Sequence, residues 1–274
     1  MFEVLENETL APALHRMVLR APRIAAARRP GQFVIVRRAE GAERIPLTIG
    51  DADEAAGTLT LFVQAIGAGT RDIVAVPPGG CLRDVAGPLG QPTHIENWGR
   101  VTCVGGGVGT AVLYPLAKAL AAAGNRVTTI IGGRSAPLVI LEKELADFSA
   151  EVRVTTEDGS RGRQGFVTHE LTELMADSAT CPRAVFAIGP VPMMRAVAEL
   201  TRPTAIPTLV SLNPIMIDGT GMCGGCRVMI GSEARFACVD GPEFDGHQVD
   251  FQSLADRLTM YRDHEAQCRV GLQP

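Results

Sequence analysis

The sequence predicts an antiparallel β-barrel, then an α/β domain built on a parallel sheet, and finally a C-terminal loop region rich in glycine and cysteine. Three observations support this fold class. Short β-rich runs separated by turns fill the first part of the chain, a strand–helix–strand pattern starts after Trp98, and three of the seven cysteines lie close together in the last part. We therefore expect three ranges, 1–97, 98–210 and 211–274.

Length and composition narrow the class of protein. A chain of 274 residues is long enough for two compact domains with an appendage. Hydrophobic residues make up 46% and charged residues 20% of the chain, a composition that excludes intrinsic disorder over most of the length. A formal net charge of -4 provides no basic field to attract phosphate backbones, so we expect no nucleic-acid partner.

The chain shows no targeting or membrane signal. Residues 1–12 contain three glutamates and lack the basic and apolar regions of a signal peptide. No apolar run reaches the roughly 18 residues that a membrane helix needs. We therefore expect a cytoplasmic protein without a membrane partner.

The range 1–97 is predicted to form a small barrel. Its strand candidates are short, closely spaced and separated by Pro-Gly, Gly-Ala and Pro-Pro-Gly-Gly turns; the clearest are Gln32–Arg37, Ile45–Ile49 and Thr58–Ile66. Such spacing is typical of antiparallel all-β folds, because consecutive antiparallel strands need only short connections.

The range 98–210 is predicted to form a doubly wound layer. RVTCVGGG, TAVLYPLAKALAAAG and NRVTTIIGG are typical of a strand, a helix and a strand, and the helix has the length that a parallel βαβ crossover needs. Further strands and helices are expected at Glu151–Thr155, Ala184–Ile188, His169–Ala176 and Val191–Leu200. An amphipathic stretch follows later, around Phe251–His264.

The most specific motif is a set of metal-binding residue types in the C-terminal region. Asp218, Cys223, Cys226 and Cys238 are spaced D-x4-C-x2-C-x11-C. Three thiolates and one carboxylate can close a metal site, and the spacing resembles the plant-type ferredoxin pattern with Asp218 in place of the first cysteine. The interleaved glycines let backbone N–H groups approach bridging sulfides closely. The loop therefore predicts a [2Fe–2S] cluster.

Other interpretations of this loop stay open. Cys223 and Cys226 also form a C-x2-C knuckle that can bind structural zinc, although a zinc ribbon usually has a second knuckle. The cysteines could instead be buried structural residues without a metal. Asp218 is the weakest ligand of the set, since an Asp before a glycine often forms a turn; Asp240 or Cys268 would then complete the site.

A second motif, ERIPLTIGD, has the residue types that a flavin needs. Arg44 offers a cation for a diphosphate, and Thr48 offers a hydroxyl for the ring N5 or the ribityl chain. The motif alone also fits an edge strand with a solvated arginine. Glycine turns in QAIGAGT and GPLG add places where a cofactor could lie against the backbone. The candidate flavin contacts are Arg44, Pro46, Leu47, Thr48, Val63, Gln64, Gly69 and Thr70.

A third motif, CVGGGVGTA, lies between a strand and a helix. Its glycines allow a pyrophosphate to meet the free N–H groups at the start of the helix. The motif is not the G-x-G-x-x-G fingerprint, because residue 112 is Val, and the second strand ends in Gly-Gly-Arg-Ser without the acidic residue that binds a ribose 2′-hydroxyl. Arg134 could stack on adenine or meet a 2′-phosphate, but it could equally be a surface arginine.

Two further turns are candidates for the same dinucleotide. Asp158 lies in an acidic loop after a strand, where a ribose can bind, although such loops are common. Gly189 and Pro190 directly follow a strand, at the carboxyl edge where ligands of open α/β sheets bind. The candidate dinucleotide contacts are Gly107, Gly109, Thr110, Arg134, Asp158, Gly189 and Pro190.

The order of these motifs resembles the ferredoxin-NADP reductase superfamily over essentially the whole chain. Within it the chain is similar to the small subunits of NADH-dependent ferredoxin:NADP oxidoreductases, also called sulfide dehydrogenase small subunits, and more distantly to the electron-transfer subunits of dihydroorotate dehydrogenase. SLNPIMIDGTGMCGGCRVMIGSEARFACVDGPEFDGHQVDF is the most specific segment. The dihydroorotate relatives have a cysteine at the position of Asp218, which favours the first group.

The resemblance implies cofactors and partners. It implies FAD on residues 44–48 and on the turn 64–70, NAD(H) or NADP(H) at the GGGVG and Gly189-Pro190 turns, and a [2Fe–2S] cluster on the cysteine loop. It also implies a large partner subunit, similar to the glutamate synthase small chain, that carries another flavin and 4Fe–4S clusters and passes electrons to ferredoxin.

We therefore expect one subunit of a heterodimeric NAD(P)H-dependent iron–sulfur flavoprotein oxidoreductase. Hydride would pass from the nicotinamide to FAD, with Thr48 hydrogen-bonding near N5, and the cluster would relay single electrons in a complex that could bifurcate them. The alternative is the electron-transfer subunit of dihydroorotate dehydrogenase. An alternative of another class is a non-catalytic binding protein stabilised by zinc.

Overall fold

The structure, a computed structural model, describes residues 1–260, and the chain divides into two units. The first unit consists of Met1–Pro92, Asn213–Pro242 and the chain from Asp250; the second consists of Thr93–Leu212 and Glu243–Val249. The C-terminal part of the chain thus contributes to both units. The expected division into three cofactor-binding ranges stays a prediction, because packing does not report which cofactor a range binds.

The first unit is built on an antiparallel sheet of seven strands that nearly closes into a barrel. Its strands are β1 (Phe2–Ala11), β2 (Leu14–Arg20), β3 (Phe33–Arg37), β4 (Arg44–Asp53), β5 (Thr58–Gln64), β6 (Cys81–Leu82) and β7 (Asp84–Leu89). They pair in the order β6-β1-β2-β5-β4-β3-β7, so the two edge strands are consecutive in the chain. Two short helices, α1 (Pro22–Ala27) and α2 (Ala68–Val74), lie between strands. The predicted antiparallel barrel is confirmed.

The core of the barrel comes from alternate residues of its strands. On β5, Leu59, Leu61 and Val63 are buried, whereas the residues between them are half-buried. Leu47 and Ile49 are the buried counterparts on β4. This period of two is what a strand with one face in the core requires, because successive side chains point to opposite faces.

The second unit is built on a parallel sheet. Its strands are β8 (Arg100–Gly106), β9 (Arg126–Gly133), β10 (Glu151–Thr156), β11 (Arg163–Gln164), β12 (Ala184–Ile188) and β13 (Thr208–Ser211). They pair in parallel in the order β11-β10-β9-β8-β12-β13. The chain order therefore reverses between β8 and β12, and open α/β sheets bind ligands at the carboxyl ends of the strands at such a point.

Four helices connect these strands: α3 (Gly109–Ala122), α4 (Glu142–Ala146), α5 (Val167–Ala176) and α6 (Val191–Thr201). Every residue of β12 is buried, as expected of a parallel strand covered on both faces. The predicted parallel α/β architecture is confirmed. Across residues 1–260, no helix has both the length and the apolar character that crossing a membrane requires.

The C-terminal part completes both units. The hairpin of β14 (Arg227–Ile230) and β15 (Glu233–Phe236) belongs to the first unit, whereas β16 (Glu243–Asp245) pairs antiparallel with β13 in the second. Helix α7 (Phe251–Leu258) then returns to the first unit. It occupies the first part of the expected amphipathic stretch, whose residues 261–264 lie outside the described residues.

Candidate functional site

Two of the predicted thiol ligands lie side by side in the first unit. Cys226 precedes β14 and Cys238 follows β15, so the hairpin brings both residues to its open end. The Cys238 N–H donates to the Cys226 Sγ at 3.4 Å, and each residue is only 2% exposed. Desolvation and the neighbouring Cys226 thiol raise the pKa of Cys238 to about 12. Metal binding is what makes a buried thiol of this kind release its proton.

The other two predicted ligands lie on the exposed part of the loop. The Cys223 Sγ accepts a hydrogen bond from the Gly225 N–H at 3.4 Å. The Asp218 carboxylate accepts hydrogen bonds from the N–H groups of Thr220 and Cys223, both at 2.7 Å. These bonds, that of Thr220 first, hold the pKa of Asp218 below its usual value. Asp218 therefore forms a turn and stays ionised, which is the form that binds metals.

The donor chemistry of the loop fits an iron–sulfur cluster, although the ligands are not arranged around a point. Across residues 1–260, no three His, Cys, Asp or Glu side chains are placed so that they could hold one ion. The loop nevertheless carries three sulfur donors and one carboxylate within residues 218–238. Its backbone takes φ angles of +77°, +86° and +68° at Gly219, Gly221 and Gly224, and N–H groups already donate to two of the sulfurs. Such N–H···S bonds stabilise cluster thiolates.

Asp240 and Cys268 are the alternatives to Asp218 as the fourth ligand, and the structure describes only the first of them. The Asp240 carboxylate accepts the Phe236 N–H at 2.7 Å and so caps the turn after β15. Cys268 lies outside the described residues. Which residue supplies the fourth donor therefore stays a prediction.

The cysteine loop is attached to the barrel within the first unit. A Cβ atom at Gly219 would collide with Ile35 of β3 and Leu89 of β7, so a glycine is needed for this close approach. Gln91, just after β7, donates its backbone N–H to the Gly241 carbonyl at 2.6 Å and its Nε2 to the Val239 carbonyl at 2.8 Å. The two ends of the loop, next to Asp218 and next to Cys238, are therefore attached to β3 and to the end of β7.

Arg44, a predicted flavin contact, bonds to the backbone of the cysteine loop. Its Nε donates to the Ile217 carbonyl at 3.0 Å and its Nη2 to the Asp218 carbonyl at 3.3 Å. Sequence reasoning missed this contact. No local spacing could indicate it, because the partners are 173 and 174 positions apart in the chain.

The other candidate flavin residues of the strands fall on two faces. Leu47 and Val63 are 9% and 0% exposed and pack into the barrel core, so only their backbone is available to a ligand. Pro46 and Thr48 alternate with Leu47 on β4 and are half-buried. They share the opposite face of the strand with Arg44, since residues two apart point the same way.

The turn 64–70 lies beside the start of β4. A Cβ atom at Gly69 would meet the side chains of Glu43 and Ile45. The Thr70 hydroxyl accepts the Gly67 N–H at 3.0 Å, which fixes the turn. Gln64 ends β5, where it pairs with Leu14. The structure thus brings the predicted turn next to residues 44–48, which form the R-x-P-L-T part of the ERIPLTIGD motif.

The candidate dinucleotide residues meet at the carboxyl edge of the parallel sheet in the second unit. A Cβ atom at Gly109, the first residue of α3, would collide with the Ile188 carbonyl and with Gly189 at the end of β12. A Cβ atom at Gly106 would meet Pro190 in the same way. The two predicted glycine turns therefore touch, and each needs its glycine for that contact.

The neighbouring strand ends supply the remaining candidates. Gly107 has a φ of +55° and donates its N–H to the Gly132 carbonyl at 2.8 Å, whereas Thr110 is only 2% exposed. The Asp158 N–H donates to the Arg134 carbonyl at 3.2 Å. The hydroxyl and N–H of Ser160 donate to the Asp158 carboxylate at 2.6 and 3.0 Å and lower its pKa. All candidate dinucleotide contacts thus lie at one edge of the sheet.

Comparison with known proteins identifies the cysteine loop. Residues 213–250 match the family described as the iron-sulfur cluster binding domain of dihydroorotate dehydrogenase B. This range contains the four predicted ligands. The match favours a cluster over structural zinc as the group that this loop holds.

Two relatives and one solved structure are similar over nearly the whole chain. The chain is 42% identical over 263 residues to a dihydroorotate dehydrogenase B (NAD(+)) electron transfer subunit homolog of Thermotoga maritima, covering 96% of this chain and 92% of the relative. It is 35% identical to the dihydroorotate dehydrogenase B (NAD(+)) electron transfer subunit of Bacillus caldolyticus, with 90% and 96% covered. A solved NADH-dependent reduced ferredoxin-NADP oxidoreductase, studied for flavin-based electron bifurcation, is 41% identical, with a TM-score of 0.92 over 98% of this chain and 96% of that one.

These similarities confirm both branches of the resemblance that the motifs predicted, and they confirm that the chain is of the oxidoreductase-subunit class. Cysteine loop, barrel and parallel sheet all lie within the aligned regions, since more than nine tenths of the chain is covered by the Thermotoga relative and by the solved structure. The chain belongs to the family of dihydroorotate dehydrogenase B electron transfer subunits and their homologues.

Proposed function

We propose that this chain is the subunit that passes electrons between NAD(P)H, FAD and a [2Fe–2S] cluster in a larger oxidoreductase complex. The observation that carries the proposal is the attachment of the cysteine loop to the barrel within one unit, through Gly219 packed on β3 and β7 and through the Arg44 bonds. A flavin on β4 and a cluster on this loop would then belong to one folding unit.

The chain's residues have distinct parts in this proposal. Asp218, Cys223, Cys226 and Cys238 would hold the cluster. Arg44 would pair with the FAD diphosphate, and the Thr48 hydroxyl, on the same face of β4, would hydrogen-bond near the ring N5. FAD exchanges electrons in pairs with a nicotinamide and the cluster exchanges them singly, so the two together convert one kind of transfer into the other.

We propose that the dinucleotide binds at the carboxyl ends of the parallel strands in the second unit. Gly107 and Gly109 let a pyrophosphate approach the start of α3, where the positive end of the helix dipole favours an anion. Gly189 and Pro190 line the same edge. Arg134 and Asp158 would contact the adenosine part, at the ends of β9 and β10.

We further propose the partners of the chain. A large subunit similar to the glutamate synthase small chain, with its own flavin and 4Fe–4S clusters, would take electrons onward to ferredoxin. The similarity to the solved ferredoxin-NADP oxidoreductase supports this choice. A cytoplasmic location is proposed because the cysteines of the described residues are unpaired, as thiols are in reducing surroundings.

The test is a visible absorption and EPR spectrum of the anaerobically purified chain, with iron, zinc and flavin quantified. We expect about one FAD and about two iron atoms per chain, together with a rhombic EPR signal on reduction. A colourless protein with stoichiometric zinc and no flavin would reject the proposal in favour of a zinc-stabilised binding protein.

A second candidate function is supported by the names of the relatives, which are electron transfer subunits of dihydroorotate dehydrogenase B. The internal chemistry would be the same and the partner would differ. Co-purification from the source cells separates the two: an iron–sulfur flavoprotein partner supports the first function, and a TIM-barrel pyrimidine enzyme supports the second. Asp218 in place of a cysteine favours the first.

A further inference from the structure

Arg44 contacts two features that the proposed function treats separately. It shares the outer face of β4 with Pro46 and Thr48, the proposed flavin contacts. It also donates to the carbonyls of Ile217 and Asp218, the residues that begin the cysteine loop. One guanidinium therefore lies at the boundary between the proposed flavin site and the proposed cluster site.

The guanidinium has enough donors for both contacts. Arginine carries five N–H groups in a planar fork. The two bonds to the loop carbonyls use one N–H of Nε and one of Nη2. Among residues 1–260, Nη1 makes no hydrogen bond, and the side chain of Arg44 is exposed. The remaining N–H groups can bind a diphosphate oxygen while the loop contacts are kept.

A second arginine contacts the same loop from another element and provides a comparison. Arg257 of α7 donates its Nη2 to the Gly225 carbonyl at 3.0 Å, between Cys223 and Cys226. Arg257 is not part of the R-x-P-L-T motif or of the turn 64–70. Two guanidinium groups thus donate hydrogen bonds to the cysteine loop. Of these two, only that of Arg44 also lies on the face of β4 that carries the proposed flavin contacts Pro46 and Thr48.

We infer that Arg44 is a positioning residue that couples FAD binding to the cysteine loop. Its guanidinium binds the FAD diphosphate and the carbonyls of Ile217 and Asp218 at the same time. The inference rests on the proposed function. Binding of FAD restrains the guanidinium and, through it, the segment that presents Asp218 as a ligand. Thermodynamic linkage requires the converse: an assembled cluster strengthens FAD binding by the same factor.

The test measures iron release from the full chain with and without FAD. The anaerobically purified protein is stripped of FAD, and half of it is reloaded. The rate of iron loss to a ferrous chelator is then followed by absorbance. We expect FAD to slow iron loss in the wild-type protein, and by roughly 5-fold if the usual lower range of equilibrium coupling is fully expressed in the release rate. FAD affinity, measured by flavin fluorescence, should be higher in the iron-loaded than in the iron-free protein.

Three variants separate the role of Arg44 from general support of the loop. Arg44→Gln removes the charge and should abolish the effect of FAD on iron loss. Arg44→Lys keeps the charge for the diphosphate but has no planar fork to reach both carbonyls, so it should bind FAD and still lose most of the coupling. Arg257→Gln, the matched control, should release iron faster overall while keeping the FAD-dependent factor.

The outcomes distinguish the coupling from the proposed function. If the wild-type chain binds neither FAD nor iron, the proposed function fails and the inference fails with it. If the wild-type chain binds both and FAD leaves iron loss unchanged, only the coupling is wrong. Should Arg44→Gln not fold, Arg44→Lys decides: a full wild-type FAD effect in that variant overturns the role of Arg44.

Discussion

Cys226 and Cys238 are the two buried residues among the candidate ligands, and the hairpin of β14 and β15 places their thiols next to each other. We expect Cys226→Ala to lose nearly all of its iron, because a two-iron cluster needs all four protein donors. Iron per chain and the EPR signal measure this. Cys103→Ala removes an equally buried thiol of the second unit and should keep its iron. Full iron and an unchanged EPR signal in Cys226→Ala would reject the ligand assignment.

Asp218 tests the fourth position of the same set. We expect Asp218→Cys to keep a [2Fe–2S] cluster with a changed midpoint potential, because a soft thiolate replaces a hard oxygen donor. Potentiometric titration followed by EPR measures the shift. An unchanged potential together with an unchanged spectrum would mean that Asp218 is not a ligand. Its role would then be limited to the turn, in which it accepts hydrogen bonds from the N–H groups of Thr220 and Cys223.

Thr48 is the residue proposed to assist flavin reduction. Thr48→Val removes the hydroxyl and keeps the shape, so reduction of the bound FAD by NADH should slow roughly tenfold, as the loss of one hydrogen bond in the transition state would do. Stopped-flow absorbance measures the rate, and FAD content should stay at the wild-type level. Thr48→Ser is the matched control and should react at close to the wild-type rate. A Val variant as fast as wild type would remove Thr48 from the mechanism.

At the scale of elements, the contact between the start of α3 and the end of β12 depends on Gly109. Gly109→Ala would push its Cβ into the Ile188 carbonyl, so one element has to move. We expect a loss of about 1–3 kcal/mol in the unfolding free energy, as for other overpacked sites, and NADH binding weakened by more than about tenfold.

Urea unfolding and NADH titration measure these two effects. Gly99→Ala is the control, because its Cβ would meet no atom within 4 Å, its φ of +89° would strain an alanine, and Gly99 directly precedes β8, away from the carboxyl edge. That variant should lose about 1 kcal/mol and bind NADH normally. Equal NADH binding in both variants would contradict the proposed dinucleotide edge.

Strand β16 carries a carboxyl group into the second unit that no motif predicted. The Thr93 hydroxyl donates to Oε1 of Glu243 at 2.7 Å, while Oε2 is buried and has no hydrogen-bond partner among the described residues. Desolvation raises the pKa of Glu243 from 4.5 to about 7, against the opposing effect of the Thr93 bond. The folded state therefore binds this proton more tightly than the unfolded state does.

The raised pKa predicts a pH-dependent stability. The contribution of Glu243 is most favourable below pH 4.5, is lost as the pH rises to about 7, and is constant above that. Glu243→Gln should therefore be more stable than wild type at pH 8, by up to about 3 kcal/mol, and the difference should shrink towards pH 4.5. Urea unfolding at a series of pH values measures this. A difference that does not change with pH would contradict the raised pKa.

At the scale of the whole molecule, the cluster is proposed to stabilise one unit and not the other. Because metal-binding energy becomes folding energy, removing iron with a chelator should lower hydrogen-exchange protection of residues 213–242 and of β3 and β7, which the loop contacts. Strands β8, β9 and β12 belong to the second unit and should keep their protection. Equal loss in both units would contradict this assignment of the cluster.

The sequence by itself determined the features that are local in the chain. The short β-rich run Thr58–Ile66, bounded by turn residues, predicted a strand, and the strand–helix–strand pattern after Trp98 predicted the parallel sheet. Both signals lie within a short stretch of the chain. The spacing of the cysteine loop predicted its metal chemistry in the same way, since all four candidate donors lie in one short segment.

Only the tertiary structure decided the contacts between segments that are distant in the chain. It placed the cysteine loop against Ile35 and Leu89, joined Arg44 to Ile217, and buried the carboxyl of Glu243. It also showed that Leu47 faces the core although it belongs to the flavin motif. The physical reason is that a residue's partners and its desolvation depend on which remote segments pack around it, and local periodicity carries no record of that packing.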